Sequence, residues 1–172
     1  MGSVFMAVAF MESAVNEVFQ DVVDGHQSYV AELNAECQKE MRSFWEGEDN
    51  GDRKPILAKY QFALAAASAR EFDKGDKPYQ PADDLVVLRN ALMHFKPESG
   101  NITDYSKLEE RLRRKFATNR LMAGSGNPYF PDHCLGFGCT DWSHTVAKDF
   151  VDAFATRIGL VLNYQRAEFP EP

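Results

Sequence analysis

The chain has 172 residues, 44% of them apolar and 26% charged, which fits one soluble globular domain that removes roughly 70% of its unfolded surface from water. A net charge of −7 argues against a general nucleic-acid coat, which would be basic overall. Three cysteines, an odd and low number, argue against a disulfide framework and point to a reducing, cytoplasmic setting. Apolar runs such as Val4 to Phe10 fall short of the roughly 20 residues of a membrane span. The N-terminus lacks a secretory pattern, so no membrane contact is expected.

Proline and glycine divide the chain into breaker-poor windows of helical length: Ser3–Asp24, Gln27–Glu46, Arg53–Lys74, Pro81–Phe95, Asp104–Met122 and Thr140–Ile158. In the first, Val4, Val8, Met11, Val15, Val18 and Val22 step by four and three, one continuous apolar stripe. Pro55 suits the first turn of the third helix. Asp83 and Asp84 suit the first turn of the fourth, where the helix dipole favours carboxylates. In the last window Trp142, Val146, Phe150, Phe154 and Ile158 step by four, with Thr140 or Asp141 as N-cap and Gly159 as the stop. Only Leu160 to Tyr164 resembles an alternating segment, and it is too short to build a sheet. The expectation is an all-α, up-and-down bundle of four to five main helices plus short ones, a single domain over residues 1–172. Residues 123–138, with four glycines and two prolines, read as a long loop, and 163–172 as a tail.

The fourth window carries the polar residues of interest. Leu85, Leu88, Leu92 and Phe95 form an apolar stripe, widened by Val86, Val87 and Met93. Arg89, Asn90 and His94 interrupt it. Asn90 and His94 share a face, and arginine's long side chain can bend toward the histidine near the helix end. Pro97 disfavours helix at Lys96, which puts His94 in the last turn. Polar groups on so apolar a helix cost stability unless paired or used, so either they pin a buried helix or they form a site.

Charge is also uneven. Residues 105–122 hold Lys107, Arg111, Arg113, Arg114, Lys115 and Arg120 against Glu109 and Glu110, a +4 stripe on a body of −11. It is either a solvated helix face or a polyanion-binding surface. Other motifs fail. Gly136-Phe137-Gly138 has no preceding strand and no third glycine, and Gly124-Ser125-Gly126 lacks the lysine of a P-loop. His133, Cys134, Cys139 and His144 have a spacing that no common structural zinc site uses. They read as buried thiols and surface histidines, with a small zinc module as the alternative. No metal and no cofactor is expected.

Arg89-Asn90-x-x-x-His94 resembles the R-x4-6-H motif of the HEPN superfamily, in which a polar residue often follows the arginine. The string Arg89-Asn90-Ala91-Leu92-Met93-His94-Phe95-Lys96-Pro97-Glu98, preceded by Pro78-Tyr79-Gln80, is similar to a bacterial HEPN-like branch. So are Met11-Glu12-Ser13-Ala14-Val15-Asn16-Glu17 and Cys139-x-x-Trp142, so the likeness covers nearly the whole chain. Position 96 is Lys, so the toxin branch with R-x4-H-x-Tyr is not matched. The resemblance implies a helical bundle that dimerises. Many HEPN members are metal-independent endoribonucleases, and others are inactive scaffolds or nucleotide binders.

The residue chemistry suits the hydrolase. Histidine can take the 2′-OH proton or protonate the leaving 5′-oxygen. Arginine can fork onto the phosphate, and Asn90 can orient His94 or bind a phosphate oxygen. The basic stripe would then grip flanking RNA. Two proton transfers but one motif histidine per chain imply a homodimer with Arg89 and His94 at its interface. The competing reading is an inactive HEPN-like dimer serving as an interaction or nucleotide-binding module.

Overall fold

The computed structural model describes residues 1–26, 29–47, 50–95 and 105–166. About 71% of these are helical and none is in a strand, so the fold is all-α. Seven α-helices follow one another: α1 (Gly2–Asp24), α2 (Ala35–Glu46), α3 (Ile56–Ala66), α4 (Tyr79–Met93), α5 (Ser106–Leu112), α6 (Phe137–Ile158) and α7 (Asn163–Arg166).

The bundle is built around α1. Its valine and methionine stripe is wholly buried, from Val4 to Val22. It packs most extensively on α6 and also on α2, α4 and α3. By length and composition α1 could cross a membrane, with a mean hydropathy of 1.2, contrary to the expectation from its short apolar runs. In this fold its apolar face is instead covered by neighbouring helices. Gly25 ends α1 in the left-handed region (φ 66°), where only glycine is unstrained. The Arg42 guanidinium donates to the Val22 carbonyl at 2.7 Å, which satisfies an acceptor at the same helix end.

Tyr60 of α3 joins three helices. Its ring meets Phe150 and Phe154 of α6 edge-on, at 4.8 and 4.7 Å. Its hydroxyl donates to the Met11 carbonyl of α1 at 2.6 Å. Lys59 beside it is buried yet satisfied: Nζ donates to Asn16 Oδ1 at 2.9 Å and to the Asp52 carbonyl at 2.7 Å, and lies over the Trp45 ring. Burial lowers its pKa.

Several expected boundaries shift for physical reasons. The second window opens on a 3-10 turn, Tyr29–Glu32, and α2 starts only where Asn34 caps the Cys37 amide at 2.9 Å. Pro55 is the N-cap of α3 rather than a first-turn residue. The third window does not run helical to Lys74. Ser68 adopts φ 54°, the Ala69 amide closes onto Leu64, and α3 ends at Ala66 without glycine or proline. Gln61 then holds Phe72 by two hydrogen bonds, at 2.7 and 2.9 Å.

The fourth helix begins at Tyr79, so Asp83 and Asp84 lie in its second turn, not its first. The fifth is much shorter than its window. The backbone after Arg113 leaves the helix and packs against the start of α6, where Ala117 O would lie 2.5 Å from a Cβ on Gly138. That close approach needs glycine. Gly136, not Thr140 or Asp141, is the N-cap of α6, which starts at Phe137 and stops at Gly159 (φ 78°). Within 123–138 the chain makes a π-type turn at Tyr129–His133. Leu160 to Tyr164 leads into α7, and residues 167–172 lie outside the described residues.

Candidate functional site

Helix α4 has two flanks. Ala82, Asp84, Leu85, Leu88 and Leu92 are buried, on a helix that packs on α1, α6 and α5, with Asp84 held by Arg111 of α5. The opposite flank holds the half-buried Val86 and Val87 and the exposed Asn90, Met93 and His94. Arg89 lies at the boundary, half-buried. The sequence suggested that all three motif residues interrupt the buried stripe; Asn90 and His94 instead face outward, where they carry little desolvation cost, and only Arg89 borders the stripe. His94 is the C-cap, its amide bonded to the Asn90 carbonyl at 3.1 Å. No hydrogen bond joins Arg89 to His94 among the described residues. The guanidinium of Arg89 lies 3.5 Å from the Met93 sulfur and has no ion-pair partner among the described residues.

Phe95 is a correction too. Expected on the buried stripe, it is 36% exposed and turns toward Tyr105 and Phe130, its ring 6.0 and 5.7 Å from theirs. Lys96, Pro97 and Glu98 of the motif string lie outside the described residues.

The basic stripe splits by role. Asp84, fully buried, accepts from Arg111 Nε at 2.6 Å and lies 3.0 Å from Lys115 Nζ. Arg111 also bonds Asp83 at 2.7 Å, and Lys115 donates to Gln80 at 3.2 Å. The two carboxylates hold the arginine in its charged form. These two cations clamp α5 along α4. Arg113 pairs with Glu109 at 3.0 Å and lies over the Tyr129 ring at 4.8 Å. Lys107, Arg114 and Arg120 are exposed and have no ion-pair partner among the described residues. So three of the six expected RNA contacts are engaged within the chain, and three are available.

The Cys/His set does not converge. Cys134 and Cys139 are buried, and burial pushes their thiols up to about 12 and about 11, with each charge also disfavouring the other at Cys134. His133 faces Ser125 at 3.5 Å. His144 instead lines a groove between α1 and α6. Among the described residues no three His, Cys, Asp or Glu side chains are grouped to hold a metal ion.

Sequence reasoning missed that groove. Its volume is about 590 Å³, and Met6, Ala7, Phe10, Phe137, Ala147 and Tyr164 supply its apolar lining. A signal existed: Met6 and Phe10 stand four apart on α1, off its core stripe. No family model matches the chain, and no curated protein or solved structure matches it significantly.

Proposed function

We propose that the chain is a HEPN-like, metal-independent endoribonuclease whose site is completed by a second copy at the outward flank of α4. The observation that carries this reading is the state of Arg89, Asn90 and His94. Asn90 and His94 lie on the outward flank of α4 with Arg89 at its edge, and none of the three has an ion-pair partner among the described residues. Beside them Met93, 57% exposed, and the half-buried Val86 and Val87 form an apolar shoulder suited to a two-fold contact.

In the reaction, one His94 takes the proton of a ribose 2′-OH. The oxygen attacks the adjacent phosphorus, the P–O5′ bond breaks, and a 2′,3′-cyclic phosphate forms. The other His94 gives its proton to the departing 5′-oxygen. Arg89 neutralises the charge that builds on the non-bridging oxygens. Asn90, one turn before His94, is placed to orient the ring or bind a phosphate oxygen. Lys107, Arg114 and Arg120 hold the flanking backbone, so binding weakens as salt rises.

The test is cleavage of labelled RNA by the purified chain in EDTA, with the product ends identified. The expected products carry 2′,3′-cyclic phosphate and 5′-hydroxyl ends. Absence of cleavage, or its loss on chelation, overturns the reading. A second reading, a non-catalytic HEPN-like interaction or nucleotide-binding module, is favoured by one observation: Arg111, Arg113 and Lys115 are engaged internally, which leaves a thinner positive surface. RNA or nucleotide binding without turnover would select it.

A further inference from the structure

The groove between α1 and α6 lies on a different pair of helices from the α4 motif and has its own chemistry. Phe10 and Tyr164 form one wall, their rings 5.0 Å apart and at 85°. Met6 and Phe137 form an open rim, 70% and 86% exposed, and Ala7 and Ala147 leave space between the helices. A volume of about 590 Å³ falls in the range that takes a small organic molecule.

The charged groups decide which kind. Three titratable side chains line the groove, Asp141, His144 and Lys148. Lys148 is paired with Asp152 at 2.5 Å, so its charge is cancelled locally. That same carboxylate accepts from the Tyr164 hydroxyl and from Gln165, so the polar end of Tyr164 is satisfied and its ring remains as apolar wall. At the other end Ser3 Oγ donates to Thr140 Oγ1 at 3.2 Å. Asp141 has no ion-pair partner among the described residues and stands in a groove lined by aromatic rings.

We infer that this groove is a binding site for a small organic cation: an amine with an aromatic or aliphatic body. The body lies against Phe10, Phe137 and Tyr164, and the ammonium group faces Asp141 with the ring faces as secondary partners. An anion of the same shape meets the Asp141 carboxylate, while the Lys148 ammonium is already held by Asp152.

Titration of the full chain with 2-phenylethylamine, 2-phenylethanol and 3-phenylpropanoate, followed by NMR shifts of the Ala7 and Ala147 methyls, tests this. The amine should bind about fivefold more tightly than the alcohol, the scale of an exposed ion pair with a cation–π contribution, and the propanoate should bind weakest. Asp141→Asn should bring the amine down to the level of the alcohol and leave the alcohol unchanged. Asp141 is exposed and unpaired, so that variant keeps the fold. Equal or tighter binding of the propanoate, an amine preference that survives Asp141→Asn, or no saturable binding of amine or alcohol overturns the inference. RNA cleavage is not involved in any of these readouts.

Discussion

At the scale of single side chains, α4 separates two kinds of charge. Asp84 is inaccessible to solvent and compensated by Arg111 and Lys115, whereas Arg89 and His94 stand at the surface. The consequences of substitution should separate in the same way. Arg111→Met leaves a buried carboxylate with one cation and should cost about 3 kcal/mol in urea denaturation, the cost of breaking a buried pair. Lys107→Ala should stay within about 0.5 kcal/mol. Equal midpoints for the two variants would show that the Asp84 cluster contributes no net stability. The motif residues should show the reverse pattern. Arg89→Ala and His94→Ala should each leave the melting transition nearly in place, since neither is buried. Each should lower RNA cleavage by about 100-fold or more, the scale of a lost transition-state donor. Unfolding of both variants, with no activity in the parent, would assign the motif to the fold.

At the scale of elements, α7 is the most conditional piece. Four residues long, it is held by Tyr164 and Gln165 on Asp152 of α6 and by Asn163 on Glu17 of α1. Partial burial raises the Asp152 pKa, but the hydrogen bonds from Lys148, Tyr164 and Gln165 outweigh it and leave the carboxyl below its ordinary value. A depressed folded-state pKa contributes stability that is full above the unfolded value, about 3.9, and is lost as pH falls through the lower folded value. The protection of the Leu162–Arg166 amides, taken relative to their intrinsic exchange rates, should therefore hold at about pH 5 and fall below about pH 4. Asp152→Asn should show no such pH step; a step of the same size in that variant would place the cause elsewhere.

The element scale also shows what could be read in advance. The stripes of α1 and α6 were legible because period and length agree over many turns, and Gly25 and Gly159 mark their ends. The ends of α3 and α5 were not. Ser68 stops α3 in a conformation that serine rarely announces, and α5 yields to packing of Ala117 against Gly138, a contact between residues remote in sequence. The motif was legible as residue types, but its outward orientation was not. Both flanks of α4 are rich in valine and leucine, and the neighbours α1, α6 and α5 decide which one is buried.

At the scale of the whole molecule, one copy offers one Arg89 and one His94 at the outer side of α4, while the proposed 2′-OH attack calls for an acid and a base. A two-fold contact along Val86, Asn90 and Met93 would supply both and bring two sets of Lys107 and Arg114 to one RNA path, offsetting locally the net charge of −7. Sedimentation across a dilution series, with RNA-cleaving activity measured on the same samples, tests this most directly. The account predicts that specific activity falls in step with the dimer fraction, and that Val86→Glu, on the half-buried outward flank, produces a folded, inactive monomer. A monomer that cleaves RNA at full specific activity would contradict it.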